Sequence, residues 1–136
     1  MEKCLNKGVS MFRADFDHIK LCSVNAKNFV TKQGRIVSST DYRKCKEVLT
    51  QLFEVKKREC GLKKPIKYSA IVYHIGTYKD SSNCIKVIED ALQCAGVIEN
   101  DRDILHFIVH KKHQKRGSWD SLKVEVQEID KDDNFG

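Results

Sequence analysis

The 136-residue sequence has one proline, one tryptophan and no apolar run near the roughly 18 residues that a membrane span requires. That absence excludes a helical membrane protein. The opening stretch MEKCLNKGVSMFRADFDHI mixes acids with bases and has no apolar h-region, so no secretory signal is expected and the chain is placed in the cytoplasm. Its six cysteines, Cys4, Cys22, Cys45, Cys60, Cys84 and Cys94, form no C-x-x-C pair. The spacing argues against a zinc ribbon or a redox pair, and an intracellular setting makes them reduced thiols serving as small core residues. There is no internal repeat and no low-complexity linker, and the length suits one folding unit with a single core.

What the sequence does contain is charge, and more of one sign. Against 19 acids stand 25 bases, a net of +6, and the acidic end EIDKDDNFG holds a local net of −3, so residues 1–127 carry +9. The bases cluster in KKRECGLKKPIK (Lys56 to Lys67) and HKKHQKRG (His110 to Gly117). Such clusters form an electrostatic footprint for a polyanion such as nucleic acid; the plainer alternative is a solvated surface.

The hydrophobic pattern predicts an α+β fold, a small mixed β-sheet packed with two main helices. Residues 1–15 show no clear period and are expected to be a flexible extension, residues 16–127 a folded domain and residues 128–136 an acidic tail. A strand running into a loop is expected around FDHIKLCSVNAKNF. TKQGRIVSS reads as a short hairpin turning at Gly34 and returning through Ile36 and Val37. Thr40 or Ser39 would cap a helix starting at Asp41, with Tyr42, Cys45, Val48, Leu49, Leu52, Phe53 and Val55 at helical spacing and Gly61 and Pro65 ending it. IKYSAIVYHIGTY has the composition of a central strand. A second helix follows, capped by Ser81 or Ser82 and closed by Gly96. ILHFIVHKK and WDSLKVEVQEI are two further strands, joined by the basic turn HQKRGS.

On the second helix Ile85, Ile88, Ala91, Leu92 and Ala95 share an apolar arc, while Asn83, Lys86 and Asp90 share the opposite one. Lys86 and Asp90 at i, i+4 make an ordinary surface ion pair on their own. Position adds to this: Asp80 lies just before the helix, and Asp101 and Asp103 lie in the loop after it. If that loop folds back, carboxylates and a lysine converge in a set suited to a hard divalent cation and a phosphate.

The stretch KDSSNCIKVIEDALQCAGVIENDRDI resembles the signature of the RusA family of Holliday-junction resolvases, which runs D-x-D-N-x-x-K, then D-A-L, then G-V, then D-D before a hydrophobic strand. Asp80, Asn83, Lys86, Asp90 and Asp101 fall on that pattern without a gap. The likeness extends upstream through SVNAKNF and GRIVSSTDYRKCKE and downstream through RGSWDSLKVEV, covering about residues 19–127. Ser82 stands where the family has its second aspartate, and Asn100 where it has the first acid of the D-D pair.

The resemblance implies a structure-selective endonuclease that binds four-way (Holliday) junction DNA as a homodimer and resolves it by Mg²⁺-dependent, or Mn²⁺-dependent, symmetric nicking in recombination and repair. By the same resemblance Asp80, Lys86 and Asp101 are catalytic, and Asp80, Asp101 and Ser82 hold the metal, Ser82 through water. Asn83 and Asp90 support them, and Lys111, Lys112, Lys115 and Arg116 track the DNA backbone. The loss of a carboxylate at Ser82 leaves a second reading open, a junction-binding protein that does not cleave; Asp90, Asp103 and Glu99 are the acids placed to compensate. His106, His110 and His113 suggest a metal, but alternation sets His106 and His110 on one strand face with Ile104 and Ile108 and no cysteine is near, so zinc is disfavoured. Trp119 is expected in the core, and Tyr78 is the better candidate for stacking on an unpaired base. The acidic tail would either mimic phosphate over the basic face or stand free.

Overall fold

The computed structural model describes residues 5–6, 9–22, 28–30, 36–38 and 40–131. Among these, seven strands and two helices follow in the order β1 (Leu5–Asn6), β2 (Val9–Ile19), β3 (Asn28–Val30), β4 (Ile36–Ser38), α1 (Thr40–Cys60), β5 (Ser69–Thr77), α2 (Ser81–Cys94), β6 (Ile104–His113) and β7 (Asp120–Glu128). The fold is α+β: a mixed sheet ordered β1-β2-β7-β5-β6 carries the two helices, and β3 and β4 form a separate two-stranded hairpin. Its returning strand is the expected one; Gly34 lies outside the described residues.

Alternation explains the sheet. On β5 and β7, Ile71, Tyr73, Ile75, Leu122, Val124 and Val126 are buried, and their neighbours His74, Lys123 and Glu125 point to the other face. Strand β7 runs antiparallel to both β2 and β5, whereas β5 and β6 run parallel, joined by the α2 crossover. The basic turn therefore does not close a β6–β7 hairpin, because β5 lies between those strands.

The helices close the core from one side. Tyr42, Cys45, Leu49 and Phe53 of α1 are buried, as are Cys84, Val87, Ile88, Ala91 and Leu92 of α2. The Phe53 ring meets Phe12 edge-on at 5.9 Å, fixing α1 over β2. Val48 and Val55 match the helical period yet are 54% and 43% exposed, because the buried stripe of α1 is narrower than the apolar pattern.

The N-terminal expectation requires correction. Residues within the expected 1–15 extension form most of β2, which pairs with β7 from Met11↔Gln127 to Ile19↔Asp120 and buries Phe12 and Ala14. At the other end the expected tail begins inside the sheet: Glu128 closes β7 and accepts a hydrogen bond from the Ser10 amide at 3.3 Å, and the Ile129 amide donates to the Tyr68 carbonyl at 3.0 Å. Residues 132–136 lie outside the described residues.

Candidate functional site

The site begins where β5 hands over to α2. Lys79 donates to the Leu21 carbonyl and lies 3.7 Å from Asp120, whose buried carboxylate also takes the Leu21 amide at 2.7 Å. This clamp ties the lead-in of α2 to the end of β2 and the start of β7. The next residue, Asp80, is the N-cap, not Ser81 or Ser82 as expected: its carboxylate accepts from the Ser82 amide at 3.1 Å and the Ser82 hydroxyl at 2.8 Å. A carboxylate satisfies an otherwise unpaired helix donor and also faces the positive end of the helix dipole. The Ser82 hydroxyl and amide, and more weakly the Lys111 charge, hold Asp80 below the usual carboxylate range.

One and a half turns further along α2, the Lys86 ammonium lies 3.1 Å from Asp90 and 3.2 Å from Asp101. The two carboxylates raise the Lys86 pKa, Asp90 more than Asp101, so it is a fixed cation at neutral pH. Asp90 is itself positioned by the Tyr42 hydroxyl of α1, whose own pKa is pushed up by burial and by this hydrogen bond. A single lysine thus joins α2, the loop after it and, through Asp90, α1.

Asp101 reaches Lys86 because the segment before β6 is tightly folded. Asp101–Asp103 form a 3₁₀ turn capped by Asn100, whose side chain accepts from the Arg102 amide at 3.1 Å, while Gln93 accepts from the Asp101 amide at 3.1 Å. Asn and Asp cap comparably, which accounts for an amide at position 100. A third carboxylate adjoins these: Glu89, one turn after Lys86, accepts from the fully buried Tyr73 hydroxyl at 2.8 Å. Burial pushes Glu89 up, Asp101 adds to the rise, and Tyr73 and Lys86 oppose it.

Of the residues singled out by sequence, Lys86, Asp90 and Asp101 come together. Asp80 and Ser82 pair with each other at the helix start, and no hydrogen bond or ion pair among the described residues links either to Lys86 or Asp101. Asn83 is in the first turn of α2, its side chain outside the described residues. Lys111 and Lys112 are exposed on β6, and Lys115 and Arg116 in the turn that follows. His110 stacks on His74 at 4.9 Å on the sheet face away from the helices. Trp119, expected in the core, is 62% exposed ahead of β7 and meets His18 edge-on.

Sequence reasoning missed Tyr42, Tyr73, Glu89 and Gln93. Glu89 was legible, since i+3 from Lys86 sets it on the neighbouring face of the helix; the tyrosines, on other elements, were not. Among the described residues no group of three or more His, Cys, Asp or Glu side chains is arranged to share a metal ion. Magnesium does not require three, because it keeps several waters and binds through one or two carboxylates together with substrate phosphate. The carboxylate oxygens of Asp80 and Asp101 are the donor chemistry such an ion takes.

No family model matches this sequence, and no curated protein matches it significantly. Among the described residues no helix is long and apolar enough to cross a membrane.

Proposed function

We propose that the protein is a RusA-like, Mg²⁺-dependent endodeoxyribonuclease that nicks four-way DNA junctions, and that Lys86 with Asp80 and Asp101 forms its reactive centre. The observation that carries this reading is the Lys86–Asp101 contact at 3.2 Å, because the two residues that the family pattern sets fifteen positions apart meet in space. Lys86, charged at neutral pH, would neutralise a phosphate oxygen at the strand being cut, a role a compact ammonium suits. Asp90 and Tyr42 keep the ammonium aimed. Mg²⁺, held by Asp80 and Asp101 with Ser82 through water, would activate water and offset charge on the phosphate. The exposed bases Lys111, Lys112, Lys115 and Arg116 would follow the DNA backbone with salt-sensitive affinity. Two symmetric nicks call for two such centres, hence a homodimer, and DNA as substrate sets the protein inside the cell, in the cytoplasm.

The second reading, a junction-binding protein that does not cleave, is favoured by one observation: the Ser82 hydroxyl is turned onto Asp80 and brings no charge of its own. Incubating the protein with a labelled four-way junction and Mg²⁺ or Mn²⁺ separates the two. Paired nicks that vanish in Lys86→Ala support the nuclease. Tight binding without nicks, together with cleavage gained in Ser82→Asp, supports the silent binder.

A further inference from the structure

Thiols that the sequence sets far apart meet where β2 ends. The Cys45 sulfur of α1 donates to the Lys20 carbonyl at 3.4 Å, is hydrogen-bonded to the Cys22 thiol and is approached by the Cys22 amide. Three groups of the segment that leaves β2 thus converge on one buried sulfur. Cys22 is half-buried, whereas Cys45 is 8% exposed. Cys84 of α2 is fully buried and near enough for Cys22 to affect its titration. Lys79 adjoins the group, its charge opposing the rise in pKa that the surroundings impose on Cys45 and Cys84. No step of the proposed cleavage uses these sulfurs.

We propose that Cys22 and Cys45 form an oxidisable dithiol, which hydrogen peroxide closes to a disulfide between the end of β2 and α1 and a thiol reductant reopens. Access assigns the roles. The Cys22 thiol and burial push Cys45 up, so the buried sulfur keeps its proton while half-exposed Cys22, as thiolate, attacks one peroxide oxygen. The O–O bond breaks, hydroxide leaves and takes up a proton, and Cys22 becomes a sulfenic acid. Cys45 then attacks that sulfur: the S–S bond forms, the S–O bond breaks, and the Cys45 proton departs with the hydroxide as water. Two thiols and one peroxide give one disulfide and two waters. Hydrogen-bonded thiols have little distance to cover. Cys84, sealed in the core and pushed up to about 11 chiefly by burial, takes no part. Disulfides in intracellular proteins are usually transient or redox-sensing, and this pair is placed for that use. The bond ties the residue next to the Leu21 clamp on Lys79 and Asp120 to the turn of α1 that carries Tyr42.

The test uses the full reduced chain and hydrogen peroxide without DNA, so its outcome and that of the nicking assay are independent. After mild oxidation the remaining thiols are blocked with N-ethylmaleimide. Intact mass spectrometry is expected to show the loss of two hydrogen atoms, with four of the six thiols labelled. Tryptic digestion is expected to yield the peptide Leu21–Lys27 joined to Cys45–Lys46, a species that dithiothreitol removes. Cys22→Ser is expected to abolish the bridge and Cys84→Ser to retain it. Six labelled thiols after peroxide overturn the proposal. So does a bridge from Cys22 to Cys84, a bridge between chains, or a sulfinic acid at Cys22 without a bridge. The peptide map is read on the wild-type chain and decides the matter even where a serine variant fails to fold.

Discussion

Lys86 and Asp101, fifteen residues apart in the chain, are joined by a 3.2 Å hydrogen-bonded ion pair that closes the loop between α2 and β6 onto the helix. The ammonium side chain is 38% exposed, so solvent screens the pair and its contribution to stability is small, about 0.5 kcal/mol. A double-mutant cycle of Lys86→Met and Asp101→Asn, read by urea midpoints at pH 7, is expected to return a coupling of that order. Because its partners raise the Lys86 pKa, the contribution is complete below the ordinary lysine value and is lost only as pH rises through the raised one. The cycle repeated at strongly alkaline pH is expected to show the coupling shrink. A coupling that grew there would contradict the pairing.

Asp80 behaves in the opposite sense. Its carboxylate is held below the usual range by Ser82, so its capping contribution is present at neutral pH and disappears as pH falls through that lowered value. Asp80→Ala is expected to lower the melting temperature at pH 7, while Asp80→Asn, which retains the capping oxygen, lowers it less. The gap between wild type and Asp80→Ala should narrow as pH falls through that lowered value. Equal melting temperatures for all three at pH 7 would remove Asp80 from the cap.

The two valines on the solvent side of α1 offer a direct check of its buried stripe. Leu49 is 1% exposed and Val48 54%. Leu49→Ala is expected to cost about 2–5 kcal/mol through reduced burial and the cavity left behind. Val48→Ala is expected to stay within about 0.5 kcal/mol of wild type, since alanine is the better helix former and an exposed valine packs against little. Chemical denaturation of both variants measures the contrast, and similar losses would mean that α1 is rotated from the orientation described.

Lys115 and Arg116, exposed in the turn between β6 and β7, are expected to contribute to DNA affinity and little to folding. Replacing both with glutamine should weaken junction binding at low salt and reduce the slope of log affinity against log salt by about 2, roughly one for each phosphate that is no longer neutralised. Fluorescence anisotropy over a salt series reads both quantities. An unchanged slope would take the turn out of the DNA path.

How much was legible in advance follows from how local each feature is. The extent of α1, the end of α2 at Gly96 (φ 77°), the β4 return and the alternation of β5 and β7 are written in residues a few positions apart. The strand expected around FDHI is the end of β2, but its larger N-terminal part escaped although Phe12, Ala14 and Phe16 alternate with Arg13, Asp15 and Asp17, because Val9–Ser10–Met11 blurs the period at its start. The helix start shifted from serine to Asp80 because both residue types cap well and only the backbone path chose between them. On the site, the helical wheel correctly put Lys86 beside Asp90, and it also contained Glu89, which was passed over.

By itself the sequence determined the two helices, strands β5, β6 and β7 and the arc that carries Lys86, all of which follow from spacing along one segment. Tertiary structure alone decided that β5 separates β6 from β7, that β2 belongs to the sheet, that Tyr42 and Tyr73 hold Asp90 and Glu89, and that Asp101 reaches Lys86 while Asp80 stays with Ser82. The reason is physical: periodicity and capping are satisfied within a few residues, whereas strand order and side-chain meetings depend on which distant surfaces bury one another, and a linear pattern does not specify that choice.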